Sequence, residues 1–239
     1  MAMRSEMGLD RFTRASDPTE EATLALVTER RKRLRRVSSE AASIAERCQQ
    51  TYELLTQVRE PSVAEKKALE KRIPGVVFLS LPSRALPQVI IEDPDYFWDG
   101  ELNYVSARPQ FRDFIIPAME VAINPTPLAL PDSFGKSRPE QILMIDDYSK
   151  EQIETEFPNA KAIMLPAVGY VLADKIYKKR TGEVLFRNFF VRALDNTREV
   201  DAADVGRYRP NDPFRVRDWS VVGGDKHVGA VPAVVFLRK

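Results

Sequence analysis

From Thr19 to Glu60 the chain contains neither glycine nor proline, the two residues that most readily interrupt a helix. Within that stretch the buriable residues recur at spacings of three and four. Val27, Leu34, Ala41, Cys48 and Leu55 form one column, and Arg30, Val37, Ile44, Thr51 and Val58 form the other. Eight of these ten positions can bury, Arg30 and Thr51 being the exceptions. Such spacing over more than four heptads is the pattern of a coiled coil or a long antiparallel helix. At ~1.5 Å per residue, about 40 residues would span roughly 60 Å. Pro61 ends the stretch, and Ser62 with Glu65 predicts a capping box opening a shorter helix to Arg72. Residues 1–18 show no apolar period and read as a flexible tail. The expected organisation is a tail over 1–18, a helical arm over 19–73 and an α+β ligand-binding domain over 74–239. The arm would fold back on itself or self-associate, making a homo-oligomer through the arm.

A basic run lies inside the arm, where Arg30, Arg31, Lys32, Arg33, Arg35 and Arg36 put six positive charges within Glu29–Arg36. Contact with nucleic-acid phosphates is one reading. A solvated helix face, partly paired with nearby Glu, is the other. The run has no aromatic interleaving, and the whole chain balances 36 basic against 35 acidic residues. With one His (His227) and one Cys (Cys48), the composition excludes a multi-Cys or multi-His zinc site and an internal disulfide framework. It also excludes any Cys–His or Ser–His scheme not built on those two residues.

No metal, cofactor or catalytic set is expected. Phe134-Gly135-Lys136-Ser137 ends like a phosphate loop, but Leu130 stands where the motif needs glycine. The acidic segment Glu92–Glu101 lacks the ligand spacing of a calcium loop. It reads instead as an acidic turn pinned to the core by Tyr96, Phe97 and Trp98. Asp146-Asp147 reads as helix surface. Asp204, Asp212 and Asp218 are the candidates for a carboxylate-based enzyme, the weakest reading. No stretch approaches the ~18 apolar residues of a membrane span, and the N-terminus has no apolar signal region, so a cytoplasmic protein is expected.

After residue 74 the texture changes to short strands, turns and helices. Strands are expected at Val76–Leu81, Val89–Ile91, Lys161–Leu165, Val184–Arg192, Phe214–Val221 and Ala230–Leu237. Ser137, with Pro139 and Glu140 following, predicts a helix start, and Ser149 with Gln152 a second one running to Phe157. Pro166 opens a helix with Val168, Val171, Leu172 and Ile176 on one face, stopped by Gly182.

Several of these segments resemble a known family. Leu165-Pro166 opening a helix with Tyr170 and Ala173, the later Trp219 strand and the closing Val228-Gly229-Ala230-Val231-Pro232 through Leu237 resemble the C-type-lectin-like fold. In particular they resemble the branch shared by formylglycine-generating-enzyme-like domains and the variable proteins of diversity-generating retroelements. That resemblance covers roughly residues 130–239. It implies early helices, an irregular loop-rich sheet, a buried last strand and a ligand-binding face built by the loops before that strand. The family's catalytic cysteine pair is missing, as are the Glu-Pro-Asn, Gln-Pro-Asp and Trp-Asn-Asp calcium signatures. What carries over is a non-enzymatic binding protein for a protein or other macromolecular ligand. Its face would hold Arg215, Arg217, Asp218, Trp219, Ser220, Asp225, Lys226 and His227. Outward Arg beside Trp and a Gly-hinged loop with His227 suit interface anchoring. Taken singly, Trp219 is expected in the core and His227 in solvent.

Overall fold

The computed structural model describes Ala42 and residues 44–198, 201–221 and 223–238. The chain divides into two units, Met1–Ser43 and Ile44–Lys239, and everything below concerns the second. Its order is α1 (residues 44–55), β1 (Val58–Arg59), α2 (Val63–Arg72), β2 (Val77–Leu81), β3 (Arg84–Ala85) and α3 (Leu86–Glu92). Then come α4 (Glu101–Ser106), α5 (Pro109–Arg112), β4 (Ile115–Ile116), β5 (Met119–Ile123) and α6 (Arg138–Tyr148). The chain continues with β6 (Ala160–Ile163), α7 (Ala167–Thr181), β7 (Phe190–Arg198), β8 (Asp201–Gly206), β9 (Arg215–Ser220), β10 (Val228–Gly229) and β11 (Ala233–Leu237). This is an α+β architecture. No helix among the described residues is long and apolar enough to cross a membrane.

The closing strand organises the larger sheet. Ala233 to Phe236 are at most 3% exposed, and an apolar run buried on both faces needs neighbours on both edges. Along one edge β11 pairs antiparallel with β6, Ala233 opposite Ile163 through Phe236 opposite Ala160. The other edge is shared by β5, at Val234 opposite Ala122, and β1, at Phe236 opposite Arg59. β2 continues the sheet beyond β5, from Val77 opposite Ile123 to Leu81 opposite Met119. A second sheet runs β10-β7-β8-β9, antiparallel except for the parallel β10–β7 pair.

Local chemistry sets the helix ends. Ser62 Oγ accepts from the Glu65 N–H at 3.2 Å, while the Glu65 carboxylate accepts from the Ser62 N–H at 2.7 Å. This is the expected capping box. Arg59 grips the same carboxylate at 2.6 Å and, chiefly through that hydrogen bond, lowers its pKa to about 2. The Glu140 carboxylate accepts from the Ser137 N–H and hydroxyl, both at 2.7 Å. At α7, Asp195 accepts from the Ala167 N–H at 2.5 Å, placing a carboxylate at the positive end of the helix. Gly182, at φ 79°, ends it by donating to Lys178 O at 2.8 Å.

Several expectations need correction. Helix α1 stops at Leu55, with Thr56 and Gln57 donating three residues back in a tight turn, instead of running to Glu60. Val58 continues the heptad column only by coincidence: it sits in β1, and Arg59 Nε donates to Leu237 O. Ile44, Cys48, Leu55, Val58 and Leu69 belong to the same buried core as β11. The compact unit that holds β11 therefore begins at Ile44. Cys48 is more than a small hydrophobe. It lies 2.6 Å from a guanidinium nitrogen of the fully buried Arg138, which also donates to Leu194 O at 2.6 Å. Burial still pushes the thiol pKa up.

Val89-Ile90-Ile91 is helical, in α3, where Gln88 accepts from the Ala85 N–H at 2.8 Å and fixes the first turn. Val89 and Ile90 bury while Ile91 is 64% exposed, the mark of a helix side. Ser149–Glu154 forms a π-helical turn continuous with α6, and β7 begins only at Phe190. The early part of the arm, including Arg30, Arg31, Lys32, Arg33, Arg35 and Arg36, lies outside the described residues.

Candidate functional site

β9 is the edge strand of the second sheet, paired with β8 from Gly206 opposite Arg215 to Asp201 opposite Ser220. Successive side chains along a strand point to opposite faces. Val216 is 3% exposed, and its N–H donates to Glu101 at 3.1 Å. On the same side Asp218 takes Arg108 at 3.1 Å. The other face receives Arg215, Arg217 and Trp219. The Arg215 guanidinium lies 5.1 Å from the Trp98 ring centroid. That of Arg217 lies 3.5 Å over Phe190 and 5.5 Å from both Tyr208 and Trp219. Trp98, Tyr208 and Trp219 are 47%, 48% and 38% exposed. Guanidinium groups beside accessible aromatic rings are favourable cation–π contacts.

Arg217 is held from behind. Arg192 on β7, Asp204 on β8 and Arg217 on β9 are opposite one another in register and share one face. Asp204 accepts from Arg217 Nε at 2.9 Å, Tyr208 Oη accepts from Arg217 at 2.7 Å, and Asp225 stands 3.6 Å from a third guanidinium nitrogen. Burial raises the Asp204 pKa to about 6, against the pull of Arg217 and Arg192. The Arg192 guanidinium is buried too, and desolvation lowers its pKa.

The loop bearing Asp225 is fixed by close backbone packing. The Gly135 N–H donates to Asp225 O at 2.9 Å, and a Cβ on Gly224 would sit 1.9 Å from Gly135 O. Asp225 also accepts from the His227 N–H at 2.8 Å.

Of the residues expected at the ligand face, Arg215, Arg217, Trp219 and Asp225 come together. Lys226 and His227 are exposed in the adjoining loop. Asp218 does not join them, because its even position, shared with Val216, turns it to the opposite face, onto Arg108. Ser220 ends the strand, and its carbonyl accepts from Arg192 at 3.5 Å. Trp219, expected in the core, is on the surface. The acidic turn is pinned by Tyr96 and Phe97, 9% and 4% exposed, whereas Trp98 faces outward. Trp98 and Tyr208 are the members that sequence reasoning missed. Tyr208 carried a usable signal: it stands beside Arg209-Pro210-Asn211-Asp212-Pro213, turn chemistry that displays its neighbours. Asp204 and Asp218 lie on opposite faces of the sheet, so the carboxylate set does not converge there. Asp146 is paired with Arg47 at 2.5 Å.

A cavity of about 420 Å³ opens beside the β8–β9 loop, lined by Tyr96, Lys178, Glu183, Arg187, Arg207 and Asp212 among others. Its floor is a buried polar knot. Asp174, fully buried, accepts from Tyr96 Oη and Arg207 through one oxygen, and from the Leu185 and Phe186 N–H groups at 2.6 and 3.1 Å through the other. Burial raises the pKa of Asp174 and of Tyr96. Glu101, 2% exposed, is likewise pushed up to about 7 by burial. Among the described residues no three His, Cys, Asp or Glu side chains gather as a metal site. No family model, no curated protein and no solved structure matches the chain.

Proposed function

We propose that this chain is a non-enzymatic recognition protein that binds a macromolecular ligand on the outer face of β9. One observation carries the reading. Arg215, Arg217 and Trp219 alternate onto one face of an edge strand, flanked by Trp98 and Tyr208, with all three rings 38–48% exposed. Trp, Tyr and Arg are the residue types that dominate binding energy at interfaces. The Arg192–Asp204–Arg217–Asp225 cluster fixes Arg217 before any ligand arrives, which lowers the entropic cost of association. The C-type-lectin-like reading belongs to the same proposal. The early helices, the loop-rich second sheet and the buried closing strand β11 support it. In that reading the β8–β9 and β9–β10 loops are the segments open to variation.

Parallel screening of glycan, peptide and oligonucleotide libraries tests the proposal, with wild type set against Trp98→Ala/Trp219→Ala. Leu143→Ala, exposed on α6, is the control. Ligands of this face bind wild type and the control alike and lose at least about 30-fold in the double variant, the ~2 kcal/mol or more of an anchor residue. Ligands held equally by all three proteins would remove the face from consideration. The arm enters as an oligomerisation element. Full-length chain is expected to run as a dimer or trimer in light scattering, and residues 44–239 as a monomer. A monomeric full-length chain sinks that half of the proposal.

A further inference from the structure

We infer that the β9 face binds single-stranded nucleic acid, its aromatic rings stacking on bases and its free cations meeting phosphates. The inference rests on this face being the recognition surface and adds the class of its ligand. The face is linear: Arg215, Arg217 and Trp219 stand at alternate positions of a strand, roughly 6.6 Å apart at ~3.3 Å per residue. A row of this kind suits an extended polymer better than a compact small molecule. Its exposed components are planar, with two indoles, one phenol and the Arg215 guanidinium lying over Trp98. Every base has a π-face, so stacking on such rings is tolerant of sequence. In a duplex those faces are already stacked, and a sheet edge reaches only the backbone.

Charge points the same way. The carboxylates inside the face, Asp204 and Asp225, are turned to Arg217. Arg215, which pulls on the buried Glu101, and Arg209 and Lys226, exposed in the adjoining loops, form no ion pair within 4.0 Å among the described residues. The unspent charge of the face is therefore cationic although the chain as a whole carries only +1. The basic run at Arg30–Arg36 lacks rings; this face has them.

Both tryptophans of the chain, Trp98 and Trp219, belong to the face, so their emission reports on it and not on the arm. The experiment titrates the full-length protein with oligothymidylate and oligouridylate of about 12 nucleotides, within the ~4–16 typical of single-strand sites, and with duplex DNA. Tryptophan emission and the anisotropy of labelled strands are read together. The single strands are expected to quench both tryptophans, and the duplex to leave emission unchanged. Trp219→Ala should weaken binding about 5- to 140-fold, the value of one stacked base, while Trp219→Phe retains most of it. Three phosphate contacts, each contributing ~0.7 to the log–log slope, should weaken binding roughly 20-fold between about 50 and 200 mM salt. Arg215→Gln should lower that slope by about 0.7.

Emission unmoved by strands up to about 100 μM, the upper range of non-specific affinities, overturns the inference. So does a Trp219→Ala protein that binds as wild type, since the strand would then lie elsewhere. If either occurs while library ligands still depend on Trp98 and Trp219, the recognition face stands and its ligand is of another class.

Discussion

Asp174 is the residue whose replacement discriminates most sharply between a structural knot and an incidental one. It is completely buried, and its two oxygens take four donors: the N–H groups of Leu185 and Phe186, the Tyr96 hydroxyl and the Arg207 guanidinium. Arg207 is itself only 2% exposed. Asp174→Asn keeps the shape and one acceptor oxygen but leaves a buried guanidinium without its counter-charge. Breaking a buried pair from one side costs about 3–5 kcal/mol. For a body of this size, where 1 kcal/mol moves the midpoint by ~2–4 °C, that is a fall of roughly 6–20 °C in Tm. The double replacement Asp174→Asn/Arg207→Met removes the stranded charge, and should recover at least ~2 kcal/mol relative to Asp174→Asn alone. Urea unfolding followed by circular dichroism, with equal m-values across the set, gives the four corners of the cycle. An Asp174→Asn protein within about 1 kcal/mol of wild type would refute the reasoning. A double variant less stable than either single would refute it too, since the pair would then not be coupled through charge.

Two further predictions follow from buried groups and close packing. Glu101 holds its proton to about pH 7 in the folded protein and releases it near 4.5 when unfolded. The folded state therefore binds more protons between those values, and stability must fall as pH rises through the window. The gap corresponds to at most about 3 kcal/mol, and Glu101→Gln, which can still accept from the Val216 N–H, should flatten the decline. Asp204, raised to about 6, contributes in the same direction, so a residual slope is expected in the variant; urea midpoints that rise from pH 5 to 8 in wild type would contradict the sign. Gly224→Ala places a methyl 1.9 Å from Gly135 O and should cost about 1–3 kcal/mol as the two loops separate, whereas an unchanged urea midpoint would show that the loops do not pack as described.

Local signals in the sequence carried much of the fold. The capping residues Ser62, Ser137 and Gly182, the apolar run of β11 and the alternation of β9 are decided within a few residues, so one-dimensional reading reaches them. What it missed depends on partners distant in sequence. Nothing around Val58 says that it will pair with a strand at the far end of the chain, and so a heptad column extended through it. Three consecutive β-branched residues at Val89-Ile90-Ile91 suit a strand until Pro87 and Gln88 are seen to start a helix over the core.

The candidate site divides in the same way. Arg215, Arg217 and Trp219 share a face by period two, which is legible. Asp218 belongs to the expected face only through the family resemblance, and the same period excludes it. Trp98 reaches the face only because Phe97 and Phe214 bridge two distant segments, information that no local pattern holds. Asp174 and Arg207 are 33 residues apart, and their pairing left no trace in either neighbourhood.

The central claim is that the chain's two tryptophans are surface groups of one face instead of core groups. Acrylamide quenching of native tryptophan emission measures this without any ligand, using wild type, Trp98→Phe and Trp219→Phe. With Trp98 and Trp219 at 47% and 38% exposure, the account predicts solvent-shifted emission quenched to a similar degree in all three proteins, well before unfolding. A blue-shifted native emission that acrylamide reaches only after denaturation would put both rings in the core, and the recognition face would not exist.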